Sequence, residues 1–141
     1  MGNAQVGITN KKHLVIIGCS YAGYEILKQV DQFFKVTVID KTDYFENFIY
    51  YFKEYETPDH FNSSILEYKN VKVDSNTTFI KGTVVKVSKD KKVSYLDAEG
   101  GIQNLGFDYL VIASGSTQPS PHKDFDVKNS DERKQRIQAE V

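Results

Sequence analysis

His13-Leu14-Val15-Ile16-Ile17-Gly18-Cys19-Ser20-Tyr21-Ala22-Gly23 is the stretch that decides the fold. Its first five residues are a short, β-branched apolar run closed by a glycine, the pattern of a parallel strand buried on both faces. Gly18 to Gly23 then read as a turn. Beyond it Tyr24, Leu27, Val30 and Phe34 recur at helical spacing, which predicts an amphipathic helix over 22–33. Lys35-Val36-Thr37-Val38-Ile39-Asp40 is a second buried strand, and it ends in an acid. Strand, helix and strand within roughly 30 residues make a βαβ unit, whose crossover is expected to be right-handed.

Downstream, residues 44–56 are rich in aromatics (Tyr44, Phe45, Phe48, Tyr50, Tyr51, Phe52, Tyr55) and read as a helix or loop covering the sheet. Pro58 and Asp59 break the pattern, and 60–68 suits a short helix. Thr78-Phe79-Ile80-Lys81 is expected as a third parallel strand. Alternating segments at about 82–88, 92–96 and 101–106, with turns at Lys89-Asp90-Lys91 and Glu99-Gly100-Gly101, predict a β-meander. Phe107 to Ala113 is again a buried strand, followed by Ser114-Gly115-Ser116. Residues 116–129 carry loop signals, Pro119 and Pro121 among them. Ser130 is the expected N-cap of a last helix, with Asp131 and Glu132 in its first turn. The fold class is therefore α/β: a Rossmann-like parallel sheet with a βαβ unit and an inserted three-stranded β-meander. Residues 1–11 read as a flexible arm, 12–117 as the domain, and 118–141 as a loop and short C-terminal helix.

Composition narrows the function classes. A chain of 141 residues is sized for one domain. Its net charge of −1 leaves no electrostatic footprint for nucleic acid, so the aromatics are not a base-stacking platform. The single cysteine, Cys19, excludes a disulfide within the chain. No apolar run reaches the roughly 20 residues of a membrane helix, and Met1 to Val6 lack the apolar core of a secretory signal. Gly2 is a weak candidate for myristoylation, because Val6 stands where the motif wants Ser or Thr; a flexible leader is the plainer reading. His13, His60 and His122 are scattered without metal-ligand spacing and read as surface or turn residues; no metal site is expected.

The glycine turn carries the chemistry. A helix N-terminus after a strand offers free N–H groups and a positive dipole end to a diphosphate. Gly18 permits the tight turn, and Gly23 permits close strand–helix packing. Ser20 occupies the middle position, where a glycine normally lets the diphosphate approach; its small hydroxyl could donate a hydrogen bond instead. Asp40 lies 22 positions after Gly18, near the offset expected of a carboxylate that accepts from both hydroxyls of an unphosphorylated ribose. The turn is thus read as FAD- or NAD-type and not NADP-type. The alternative is a βαβ unit that kept its fold without a nucleotide. Cys19, inside the turn, is either a thiol activated by the helix N-terminus or a small packed residue pointing away from the ligand.

Taken in order, the His13–Gly23 segment, Val36 to Asp40, the meander after Gly82 and Phe107 to Ser116 resemble the N-terminal portion of two-dinucleotide flavoproteins. These form the pyridine nucleotide-disulfide oxidoreductase superfamily. The likeness is greatest to the branch holding type II NADH dehydrogenases and apoptosis-inducing-factor-like proteins, the ferroptosis suppressor protein among them, and it spans about 12–125. It implies the first half of an FAD-binding domain. By resemblance the cofactor faces Gly18, Ser20, Ala22 and Gly23 at the diphosphate and Asp40 with Lys41 at the ribose. Lys53 stands where relatives often carry an arginine, Val84 or Val85 meets the adenine through the meander backbone, and Ala113, Ser114 and Gly115 form the second flavin-contacting turn, usually Ala-Thr-Gly. The resemblance implies a mitochondrial or membrane-peripheral intracellular protein that passes hydride from NADH to FAD and electrons to a quinone. A second glycine turn for NADH and the later Gly-Asp segment are not among these residues, so the chain is expected to be incomplete for catalysis on its own. Partner chains would then cover its open sheet edge. The alternative is a catalytically inactive, truncated flavoprotein-like subunit with an adaptor role in an assembly.

Overall fold

A computed structural model describes residues 11–47, 64–116, 127 and 129–140. Residues 1–10 of the arm, Gly2 among them, Lys53, His60, His122 and the aromatics from Phe48 to Tyr55 lie outside the described residues.

The first strand, β1 (His13–Ile17), sits at the middle of a four-stranded sheet. Helix α1 (Tyr21–Val30) follows it, and β2 (Lys35–Asp40) returns parallel to it, Leu14 opposite Val36 and Ile17 opposite Ile39. This is the βαβ unit expected from the apolar runs. The helix is shorter than its periodicity suggested, ending at Val30, although Phe34 still packs on the core. β5 (Thr77–Lys81) extends the sheet beyond β2, and β9 (Tyr109–Ile112) flanks β1 on the other side; every pairing is parallel. The order β5-β2-β1-β9 places a topological switch between β1 and β9, where the chain crosses from one half of the sheet to the other.

The two sheet faces bury different layers. Leu14, Ile16, Val36 and Val38 pack against Leu27 of α1 and Tyr68. Val15, Ile17 and Ile39 face Val93 of the meander. Val15, Ile16, Val36 and Leu27 are fully excluded from solvent, each worth about 1.5–3 kcal/mol relative to exposure. The meander is β6 (Thr83–Ser88), β7 (Lys92–Leu96) and β8 (Ile102–Gly106), antiparallel throughout.

Residues 44–46 depart from the sequence reading. They form a strand, β3 (Tyr44–Glu46), antiparallel to β4 (Ile65–Glu67), which replaces the end of the helix expected over 60–68; a 3-10 turn (Tyr68–Asn70) follows. The reason is two-sided burial, for which strand alternation is the only solution over three residues. Phe45 and Leu66 turn to one face and join the core under α1, where Phe45 stacks on Tyr24. Tyr44 and Ile65 turn to the other and pack on Ile137 of the last helix, α2 (Ser130–Glu140).

The cap of α2 also differs. Asn129, not Ser130, takes the role: its Oδ1 accepts the Glu132 N–H at 2.9 Å. Ser130 is instead committed to the hairpin, its N–H donating to Asp43 and its hydroxyl to Glu67. Glu67 also accepts from Lys134 at 2.8 Å. Hydrogen bonds from Lys134 and then Lys69 hold the Glu67 carboxyl down to about 2. A depressed folded-state pKa stabilises above the ordinary glutamate range and loses that contribution as the carboxyl protonates. Docking of α2 should therefore weaken as pH falls from about 4.5 towards 2. Amide exchange of 130–140 across that range checks this, and Glu67→Gln should flatten the dependence.

Candidate functional site

The glycine turn lies at the carboxyl ends of β1 and β9, where open α/β sheets bind ligands. The Gly18 N–H donates to Ile39 O at 2.9 Å and the Ala113 N–H to Ile17 O at 2.8 Å, which ties the turn to both neighbours. Gly18 has φ +85°, and a Cβ there would meet Ala113 O at 2.7 Å and Ser114 Cα at 2.8 Å. Both the conformation and the space demand glycine. A Cβ on Gly23 would stand 2.0 Å from Gly18 O, so α1 starts in contact with the turn's backbone.

Ser20 is the N-cap of α1 in an extended conformation, and its side chain makes no capping bond. Ser20, Tyr21 and Ala22 are exposed, and the first turn of α1 carries no acid. Gly115, at φ +66°, has no atom within 4 Å of where a Cβ would stand. The helix N-terminus and the Ala113–Gly115 segment thus border open space whose backbone donors and positive dipole end suit a diphosphate.

Asp40 closes the turn from the β2 side. Its Oδ2 accepts the Cys19 N–H at 2.6 Å, and its Oδ1 accepts both the N–H and the hydroxyl of Thr42 at 2.9 Å. The Asp40–Thr42 pair is an Asx turn, the local bond an aspartate makes two residues on. The Tyr68 hydroxyl stands 3.1 Å from Cys19 O and 3.4 Å from Asp40 Oδ2. Burial, and then the Asp40 charge, push this phenol far above its ordinary pKa, so it stays a donor.

The structure brings together Gly18, Ser20, Ala22, Gly23, Ala113, Ser114 and Gly115, and links Asp40 to them through Cys19. Lys41 follows Asp40 on the surface. Val85 stands apart: it is exposed in β6 where the pairing register skips between Val84 and Lys86, and β6 meets the end of β2 through the Gly82 N–H to Asp40 O. Thr42 and Tyr68 were missed by the sequence reading. Asp-x-Thr is a visible local signal for the first; Tyr68 reaches the site from 28 positions away with none. His13 opens β1 as its apolar run suggested and is half-buried, with its Nε2 2.8 Å from Thr37 Oγ1. Among the described residues no group of three His, Cys, Asp or Glu side chains could hold a metal.

The family described as pyridine nucleotide-disulphide oxidoreductase matches residues 12–139, nearly the whole chain. The chain belongs to this family. It is 35% identical to apoptosis-inducing factor homolog A of Dictyostelium discoideum over 113 residues, covering 80% of this chain and 26% of that protein. It is 36% identical to homolog B of the same organism over 115 residues, 82% of this chain and 28% of the relative. The chain therefore spans about a quarter of the length of these curated relatives. A structure of NDH2 from Plasmodium falciparum in complex with NADH shares the fold, with a TM-score of 0.65 at 22% identity over 78% of this chain and 24% of that one. Pyridine-nucleotide oxidoreductase chemistry with flavin is the family's trait.

The fold shields the cysteine beneath the turn. Cys19 is fully buried, and burial, then the Asp40 carboxylate, push its thiol up to about 12. The helix N-terminus does not activate it, because the thiol is packed in the core beneath the turn. A maleimide at neutral pH should leave Cys19 unmodified in the folded protein and label it fully in denaturant; rapid labelling in native buffer would contradict this burial.

Proposed function

We propose that this chain is the FAD-binding portion of an NADH:quinone-type flavoprotein oxidoreductase and needs further protein to complete the reaction. The observation that carries the reading is the Gly18–Gly23 turn, set at the β1/β9 switch with an open helix N-terminus and a carboxylate at the end of β2. The residues fit the cofactor's polar half. The backbone of 18–23 would face the diphosphate, Asp40 the adenosine ribose, and Ala113–Gly115 the flavin side, while Lys41, Lys53 and Val85 line the remainder by resemblance. When bound, FAD supplies the hydride-accepting, electron-passing ring between NADH and a quinone. The nicotinamide and acceptor sites would come from protein beyond these residues. Tyr109 and Ile112 expose 55% and 67% of their surface on the edge strand β9, which is where such a neighbour would pair. No helix of the described residues is long and apolar enough to cross a membrane. Contact with a membrane would be peripheral, with Gly2 acylation as one route, in a mitochondrial or cytoplasmic setting.

The test is the visible absorption spectrum of protein purified from its source. About one flavin per chain, lost in Asp40→Ala, supports the reading. A folded protein without flavin would favour the second reading, a structural subunit of an assembly. That reading draws on the same exposed β9 edge and on Ser20 in place of the middle glycine.

A further inference from the structure

Asp40 holds four acceptor positions, about the number a carboxylate possesses, and its four donors are of two kinds. The Cys19 N–H at 2.6 Å and the Thr42 N–H at 2.9 Å are backbone groups fixed by the turn. The other two are hydroxyls, and each has a second acceptor in reach. Thr42 Oγ1 is 2.9 Å from Asp40 Oδ1 but also 3.1 Å from Tyr44 O. The Tyr68 hydroxyl is 3.4 Å from Asp40 Oδ2 but 3.1 Å from Cys19 O. A hydroxyl has one proton, so each must choose. The two choices fall on different oxygens of the same carboxylate.

Resting on the nucleotide reading above, we propose that Thr42 and Tyr68 are stand-in donors that occupy Asp40 and cede one lone pair on each oxygen to the vicinal hydroxyls of an unphosphorylated ribose. When the diol arrives, the Thr42 hydroxyl turns to Tyr44 O and the Tyr68 hydroxyl to Cys19 O. No buried donor loses its partner, and the carboxylate stays fully bonded in both states. The arrangement makes these two side chains positioning residues. It carries a signature that a merely structural role lacks: the protein hydroxyl and the ribose hydroxyl substitute for one another.

The experiment is titration calorimetry of the intact protein with ADP, 2′-deoxy-ADP and 3′-deoxy-ADP, on wild type, Thr42→Val, Tyr68→Phe and the conservative Thr42→Ser. In wild type the removal of one ribose hydroxyl should cost less than about threefold in affinity, because a protein hydroxyl refills the lone pair. In Thr42→Val and Tyr68→Phe the discrimination against one of the two deoxy ligands should rise to about tenfold or more, since a lone pair is left unmatched. Thr42→Ser should behave as wild type. Equal discrimination in wild type and both variants, or a wild type that already rejects deoxy ligands more than tenfold, overturns the stand-in role while leaving nucleotide binding intact. Wild type that carries no flavin as purified and binds none of the three ligands overturns the nucleotide reading itself.

Discussion

Gly23→Ala is expected to destabilise the protein by at least about 3 kcal/mol and to abolish any nucleotide binding with it. The sign is not obvious from helix propensity. Gly23 lies inside α1, where exchange for alanine should gain about 0.5–1 kcal/mol. Packing decides against it. The added methyl would stand 2.0 Å from Gly18 O and 3.0 Å from Gly18 C, and both atoms are backbone. No side chain can turn aside to relieve the contact. Gly18 cannot retreat either, because its N–H is bonded to Ile39 O and its other side lies against the Ala113–Ser114 backbone. Either α1 lifts from the sheet, uncovering the fully buried Leu27, or the turn deforms. Overpacking typically costs 1–3 kcal/mol where neighbours can adjust, and here they cannot. For a chain of this size about 3 kcal/mol lowers the melting temperature by roughly 6–12 °C. Thermal denaturation checks this; a shift of under 2 °C would mean that the turn yields more easily than its bonds imply.

What the sequence disclosed and what it concealed divide along a physical line. β1, β2 and the meander were legible because each is specified by its own residues; the apolar run at 107–113 located β9, but β9 is an edge strand over Tyr109–Ile112 with both of those residues exposed, not the buried strand expected. Buried parallel strands are continuous apolar runs, and the meander alternates between turn residues. The glycine turn was legible because φ and close packing restrict Gly18 and Gly23 to one residue type. The β3–β4 hairpin was not. Its strands have three residues each, they pair across a long separation, and Tyr44 and Phe45 are apolar neighbours that read equally well as helix or loop. Only the two partners on opposite faces, α1 and α2, make them a strand. The same holds at the site. The offset of Asp40 from Gly18 could be counted, but its engagement with Cys19, Thr42 and Tyr68 depends on where β2 ends relative to β4, which no local pattern encodes. Asn129 and Ser130 are both good caps, and the competition was settled by Glu67 taking the serine hydroxyl.

The second large effect belongs to Arg133. Helix α2 has little to hold it by apolar burial: Ser130 to Glu140 contains one sizeable hydrophobic residue, Ile137. An isolated helix of this length is marginal, so its docking must rest on polar contacts. The chief one is Arg133, 1% exposed, against Glu46, 14% exposed. The guanidinium Nε lies 3.1 and 3.2 Å from the two carboxylate oxygens, and Nη2 donates to Oε1 at 2.8 Å. Arg133→Ala should cost about 3–5 kcal/mol of docking free energy, because the Glu46 carboxylate is left enclosed without its counter-charge. Each 1.4 kcal/mol is a factor of ten, so the opening equilibrium of α2 should shift by a hundredfold or more. Hydrogen exchange reads this directly: protection should collapse over 130–140 while amides of β1 and β2 keep theirs. The double variant Glu46→Leu with Arg133→Met separates charge from shape. It removes both ions and keeps most of the volume, and replacements of that kind are often neutral or stabilising by 1–4 kcal/mol. Near-wild-type protection in the double variant, beside collapse in the single one, would show that the pair specifies where α2 docks more than it stabilises the docking. Equal loss in both would mean that the bidentate geometry itself supplies the docking energy of α2.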